Sequence, residues 1–82
     1  MSISRAHDLN LAPYYLFLIH TFIDLNNLGD EYYTAGQLRF IAQIKKPKHI
    51  LRQDLTYLTD LGILEEKVDN SQRRPQRVWR LR

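Results

Sequence analysis

The sequence predicts a small α+β domain, mainly α, built of three helices and a C-terminal β-hairpin. Three observations predict it. Pro13 and Gly29 bracket an apolar-rich stretch, PYYLFLIHTFIDLNNLG, that reads as one long helix. Leu51, Leu55 and Leu58 recur at helical spacing within KKPKHILRQDLTYLTDL, residues 45–61. Beyond Gly62 the pattern changes: ILEEKV and RVWRLR each read as a strand, with a turn-rich DNSQRRPQ between them.

At 82 residues the chain makes one small domain, which buries a single core with little margin. It has no cysteine, so neither a disulfide nor a thiolate metal site supports it. His7, His20 and His49 lack metal-ligand spacing, and no metal or cofactor is expected. No membrane span or signal-peptide pattern is present, which leads us to expect a soluble, cytoplasmic protein. The net charge of +3 is unevenly spread. Residues 1–44 hold two basic and four acidic side chains, whereas residues 45–82 hold ten basic and five acidic. That asymmetry points to a polyanion on the C-terminal side.

In chain order, residues 1–10 (MSISRAHDLN) are polar and unpatterned and read as a flexible arm, with the domain proper at 11–82. The first helix, residues 12–28, carries a core stripe of Tyr14, Leu18, Phe22 and Leu25, with Tyr15 beside it. Its opposite side is also apolar, at Leu16, Ile19 and Ile23. Either the helix is sandwiched within its own fold, or this second face meets another copy of the chain. The second is the expectation taken here: a homodimer through Leu16, Ile19 and Ile23.

GDEYY, residues 29–33, reads as a loop with a short extended piece that pairs with the hairpin. Thr34 opens the second helix, because Thr34-Ala35-Gly36-Gln37 is a capping box. That helix is expected to run to about Gln43. Leu38, Ile41 and Ala42 give it one apolar side, and Phe40 with Ile44 another, as in a helix wedged between two others. A turn of three or four residues then leads to the third helix, a helix-turn-helix arrangement. Pro47 suits the first turn of that third helix, and Gly62 its left-handed end. Its outer face carries Lys46, His49, Gln53, Thr56 and Asp60, with Arg52 on the flank. In the hairpin, Leu64 and Val68 share a face, as do Arg77, Trp79 and Leu81, while Arg73, Arg74 and Pro75 sit at the tip.

The order α-β-α-α-β-β resembles the winged helix-turn-helix family over nearly the whole chain, from about Pro13 to Arg82. LRQDLTYLTDLGILEE, residues 51–66, is similar to that family's recognition-helix end and first wing strand. RRPQRVWRL, residues 73–81, resembles its second wing strand, as in small regulators of the PadR type. The family's recognition helix often has a better N-cap than Lys46. The resemblance implies sequence-specific binding to double-stranded DNA by a small transcriptional regulator, with the third helix in the major groove and the wing on backbone or minor groove. The matching positions are Lys45, Lys46, Lys48, His49, Arg52, Gln53 and Thr56, then Arg73, Arg74 and Arg77. Their chemistry agrees: arginine pairs bidentately with guanine, glutamine with adenine, and lysines or tip arginines neutralise phosphates. Asp60, at the far end of the helix, is expected to lie beyond the DNA. Asp54, near the core margin, needs a partner that the sequence does not name.

An enzyme is not expected, since there is no glycine-rich phosphate loop and no nucleophile–base pair at recognisable spacing. The rival readings are a winged-helix protein–protein assembly module, or a DNA-binding component of phage or plasmid replication or recombination. RNA binding ranks below both, because no aromatic cluster lies on a basic sheet face.

Overall fold

The structure, a computed structural model, describes residues 11–29 and 31–82. The expected arm at residues 1–10 lies outside them. Three helices, α1 (Pro13–Leu28), α2 (Ala35–Ile41) and α3 (Lys48–Asp60), precede two strands, β1 (Leu64–Asp69) and β2 (Gln76–Leu81). The strands form one antiparallel hairpin in the register Leu64↔Leu81 through Asp69↔Gln76. The chain is therefore a mainly helical α+β domain with a C-terminal hairpin.

The core is where these elements meet. Leu51, Leu55 and Leu58 of α3 are fully buried, together with Ile63, Leu64 and Trp79 from the hairpin side. From α1 come Leu18, Ile19, Phe22 and Leu25, and from α2 Ala35 and Leu38. The expected strand at residues 29–33 shrinks to one bridge. Tyr33 exchanges both backbone hydrogen bonds with Trp79, at 2.8 Å each, and so seats β2 between Tyr33 and β1.

The second apolar face of α1 is not an outer face. Ile19 is only 1% exposed, and Leu16 and Ile23 are half-buried against the core. α1 packs on β2 and also on α3, where Tyr15 stacks against Tyr57 with ring centroids 5.1 Å apart. Two neighbours at different angles bury a wide arc of one helix, so the sandwich explains the double apolar pattern. An interface through Leu16, Ile19 and Ile23 loses its motive, because Ile19 is already core.

α2 departs from expectation in the other direction. It ends at Ile41 rather than Gln43, and it is not wedged on two sides: Phe40 is 86% exposed and Ile41 45%. Its start is the expected capping box, with Gln37 N–H donating to Thr34 Oγ1 and Thr34 N–H to Gln37 Oε1. Its end is a turn in which Ile44 N–H reaches Arg39 O at 2.9 Å and Gln43 sits at φ 53. Gln43 thus occupies a left-handed conformation usually given to glycine or asparagine. The same hydrogen-bond pattern closes α3, where Ile63 N–H reaches Leu58 O at 3.0 Å and Gly62, at φ 80, takes the left-handed place.

Candidate nucleic-acid interface

α2 and α3 are joined by residues 42–47, a longer turn than the sequence suggested. Arg39 Nε donates to Lys46 O at 2.6 Å and closes it. Pro47 caps α3 from outside, and its carbonyl accepts from Ile50 and Leu51 at 3.1 and 3.0 Å. Lys45 and Lys46 therefore lie in the turn, not on the helix.

The leucine stripe turns the rest of α3 outward. His49, Arg52 and Gln53 are exposed and make no hydrogen bond or ion pair among the described residues. Two grooves adjoin them. The first, of about 530 Å³, is lined by His49, Arg52, Gln53, Thr56, Tyr57, Asp60 and Arg77. The second, of about 500 Å³, runs between α3, the start of α2 and the hairpin; Lys48, Arg52, Arg74 and Arg77 line it with Thr34, Gly36 and Gln76. Arg52 and Arg77 border both. Gly36 leaves room for Lys48, whose Nζ lies 3.5 Å from where a β-carbon would stand. Arg73 and Arg74 are exposed at the hairpin tip and carry no ion pair among the described residues.

The structure thus brings Lys48, His49, Arg52, Gln53, Thr56, Arg74 and Arg77 together. Lys46 is drawn elsewhere. Its Nζ lies 3.7 Å from the Tyr14 ring centroid and 3.5 Å from Asp54 Oδ2. Tyr14 donates its hydroxyl to the same carboxylate oxygen at 2.7 Å. These are the partners that Asp54 needed. Burial, and then the hydrogen bond to Asp54, push the Tyr14 hydroxyl well above its ordinary range. Burial also raises Tyr15, with the Asp54 charge adding to it.

Arg77 is likewise committed. It shares the helix-facing side of the hairpin with Trp79, and its guanidinium lies 5.3 Å from the Trp79 ring centroid. Nη2 donates to Thr56 Oγ1 at 2.6 Å, Nε donates to Glu66 Oε1 at 2.9 Å, and Nη2 also pairs with Glu66. On the other face, Arg80 pairs with Glu65 and holds its carboxyl below the usual range. Tyr32 lies on that face, its ring centroid 4.1 Å from Lys67 Nζ and 4.6 Å from the Arg80 guanidinium. Val78, beside Arg80 and opposite Lys67, is consequently buried.

The sequence reading missed Arg39 as the residue that closes the turn, and Gly36 as the space for Lys48. A lone arginine in the last turn of a short helix is a weak signal for the first, and nothing local marks the second. Among the described residues no cluster of His, Asp and Glu is placed to hold a metal ion, and no helix is long and apolar enough to cross a membrane. Comparison of the chain with protein-family models, curated proteins and solved structures finds no match in any of the three.

Proposed function

We propose that this domain is a winged helix-turn-helix that binds double-stranded DNA sequence-specifically, as a small transcriptional regulator. The observation that carries the reading is the outer face of α3. His49, Arg52 and Gln53 stand uncommitted along the first groove, and Arg52 also borders the second, which Lys48 and Arg74 line. Exposed polar side chains that have no hydrogen-bond or ion-pair partner among the described residues suit an external ligand with both base edges and phosphates. In this reading α3 enters the major groove, Arg52 and Gln53 meet bases, and Lys45, Lys48, Arg73 and Arg74 meet phosphates. Lys46 contributes through the turn it braces, and Asp60 marks the end of the footprint.

Mobility shift on duplex DNA at several salt concentrations tests this. The parent should bind, and Arg73→Glu with Arg74→Glu should weaken binding to every duplex and flatten the salt dependence. A parent that binds no duplex at low salt would leave the assembly module as the better reading.

A specific observation also supports self-association on a different surface. Phe17 (46% exposed) and Ile41 line a cleft of about 210 Å³ with Thr21, Asp24, Leu25 and Ala42, and Phe40 projects beside Ile41. We place the second copy here rather than on Ile19. A twofold pair would present two recognition helices about one DNA turn apart, roughly 34 Å, to a near-palindromic site. Sedimentation should show a parent dimer at micromolar concentration and a monomeric, folded Phe17→Glu with Ile41→Glu. A monomeric parent ends the idea.

A further inference from the structure

We propose that Thr56 and Arg77 act as one reading unit, in which Arg77 positions Thr56 and the Thr56 hydroxyl donates to an acceptor on a base edge. The inference rests on the DNA-binding reading above. It departs from the simpler expectation that Arg77 neutralises a phosphate.

The three helical threonines make the contrast. Thr21 donates its hydroxyl to Phe17 O at 2.9 Å, and Thr59 donates to Leu55 O at 2.8 Å. This is the usual way for a helical threonine to satisfy its proton. Thr56 does otherwise. Its Oγ1 accepts from Arg77 Nη2 at 2.6 Å and, among the described residues, it donates to nothing. A charge-assisted bond occupies one lone pair of the oxygen and leaves the hydroxyl proton for a partner elsewhere. Thr56 lines the groove beside Gln53 and Arg52, so its free proton belongs to the face that meets base edges. Acceptors for that proton there are guanine O6 and N7, adenine N7 and thymine O4.

Arg77 is built for positioning. Three of its five N–H groups are used on Thr56 and Glu66, and its guanidinium lies close to the fully buried Trp79 ring. It thereby links α3 to both strands of the hairpin. Glu66 cancels its charge, which leaves little net attraction for a phosphate.

The experiment compares the parent with Thr56→Ser, Thr56→Val, Glu66→Gln, and Glu66→Gln with Arg77→Gln. Each is measured for affinity to a selected duplex, to single-base variants of it, and as a function of salt. Circular dichroism at working temperature confirms that each is folded. Thr56→Ser should keep the parent's preferences. Thr56→Val and the Glu66→Gln/Arg77→Gln pair should each lose about fivefold to tenfold of discrimination, at the same base pair, as one lost hydrogen bond implies. Neither should change the slope of log affinity against log salt. A drop of about 0.9 in that slope between the parent and the double variant would make Arg77 a phosphate contact and overturn the proposal alone. Unchanged base preference in Thr56→Val would overturn it too. A parent that binds no duplex overturns the functional reading beneath it.

Discussion

The inner and outer faces of α3 are made by different rules. On the inner face Leu51, Leu55 and Leu58 are fully buried, and their places follow from packing alone. On the outer face position alone decides little, because what matters is what each side chain reaches. Asp54 is taken by Tyr14 and Lys46, and Thr56 by Arg77, whereas the side chains of His49, Arg52 and Gln53 have no hydrogen-bond or ion-pair partner among the described residues. The outer face is thus braced at its margins and open at its centre. A helix so arranged is held rigid by its flanks while its middle stays available to a ligand, which is the arrangement a preorganised site needs.

The strongest way to break this contrast is from the inside. Leu55→Ala should cost roughly 2–5 kcal/mol, a large share of a small domain's stability. Denaturant unfolding checks it, and an unchanged midpoint would mean the helix faces the other way. Next come the open residues. Arg52→Ala or Gln53→Ala should lose roughly 1–3 kcal/mol on a preferred duplex relative to random DNA. Their effect on stability should stay within about 0.5 kcal/mol. Equal losses on preferred and random duplexes would remove the base-reading role.

The braced margin should answer differently again. Tyr14→Phe removes a hydrogen bond to a carboxylate and should cost about 1–2 kcal/mol of stability. The Tyr14 hydroxyl is held above its ordinary 10.0, so the fold favours its neutral form. Its contribution is therefore complete below pH 10.0 and is lost as pH rises beyond that value. Unfolding of parent and variant from pH 8 upward should show a gap that is constant at first and closes at the alkaline end. A gap that widens there would refute the Tyr14–Asp54 bond as its source. The smallest expected effect lies in the turn. Gln43→Gly should stabilise by about 0.5–1 kcal/mol, since glycine takes the left-handed conformation without a β-carbon penalty. A loss of stability in thermal unfolding would show that the Gln43 side chain matters more than its backbone.

Local signals carried far. The leucine period, the Thr34 capping box, Gly62 and the two strand-like stretches after it all act within a few residues, and all were legible in the sequence. The stripe Leu18, Phe22, Leu25 was legible for the same reason. Ile19 was not, because whether a second face is covered depends on where β2 lands, some sixty residues later. The end of α2 was hidden because a glutamine in a left-handed turn leaves no mark in composition. The site divides the same way. That α3 has a polar face was plain from spacing. That Lys46 and Arg77 are committed to their own chain was not, since Tyr14 and Asp54 lie 40 residues apart and Thr56 and Arg77 lie 21 apart. Counting cations along the chain therefore overstates how many are left unpaired.

Trp79 is the only tryptophan in the chain, it is fully buried, and its indole Nε1 is without a hydrogen-bond partner among the described residues. An indole kept from water and from hydrogen bonding emits toward the blue, and this one emits alone. Its light depends on both edges of β2, through the bridge to Tyr33 and the register with Glu66, and on the Arg77 cation beside the ring. The domain consequently carries its own optical probe. A red shift signals that the hairpin has left the helices, and an intensity change at constant wavelength signals that Arg77 has moved while the core stays closed.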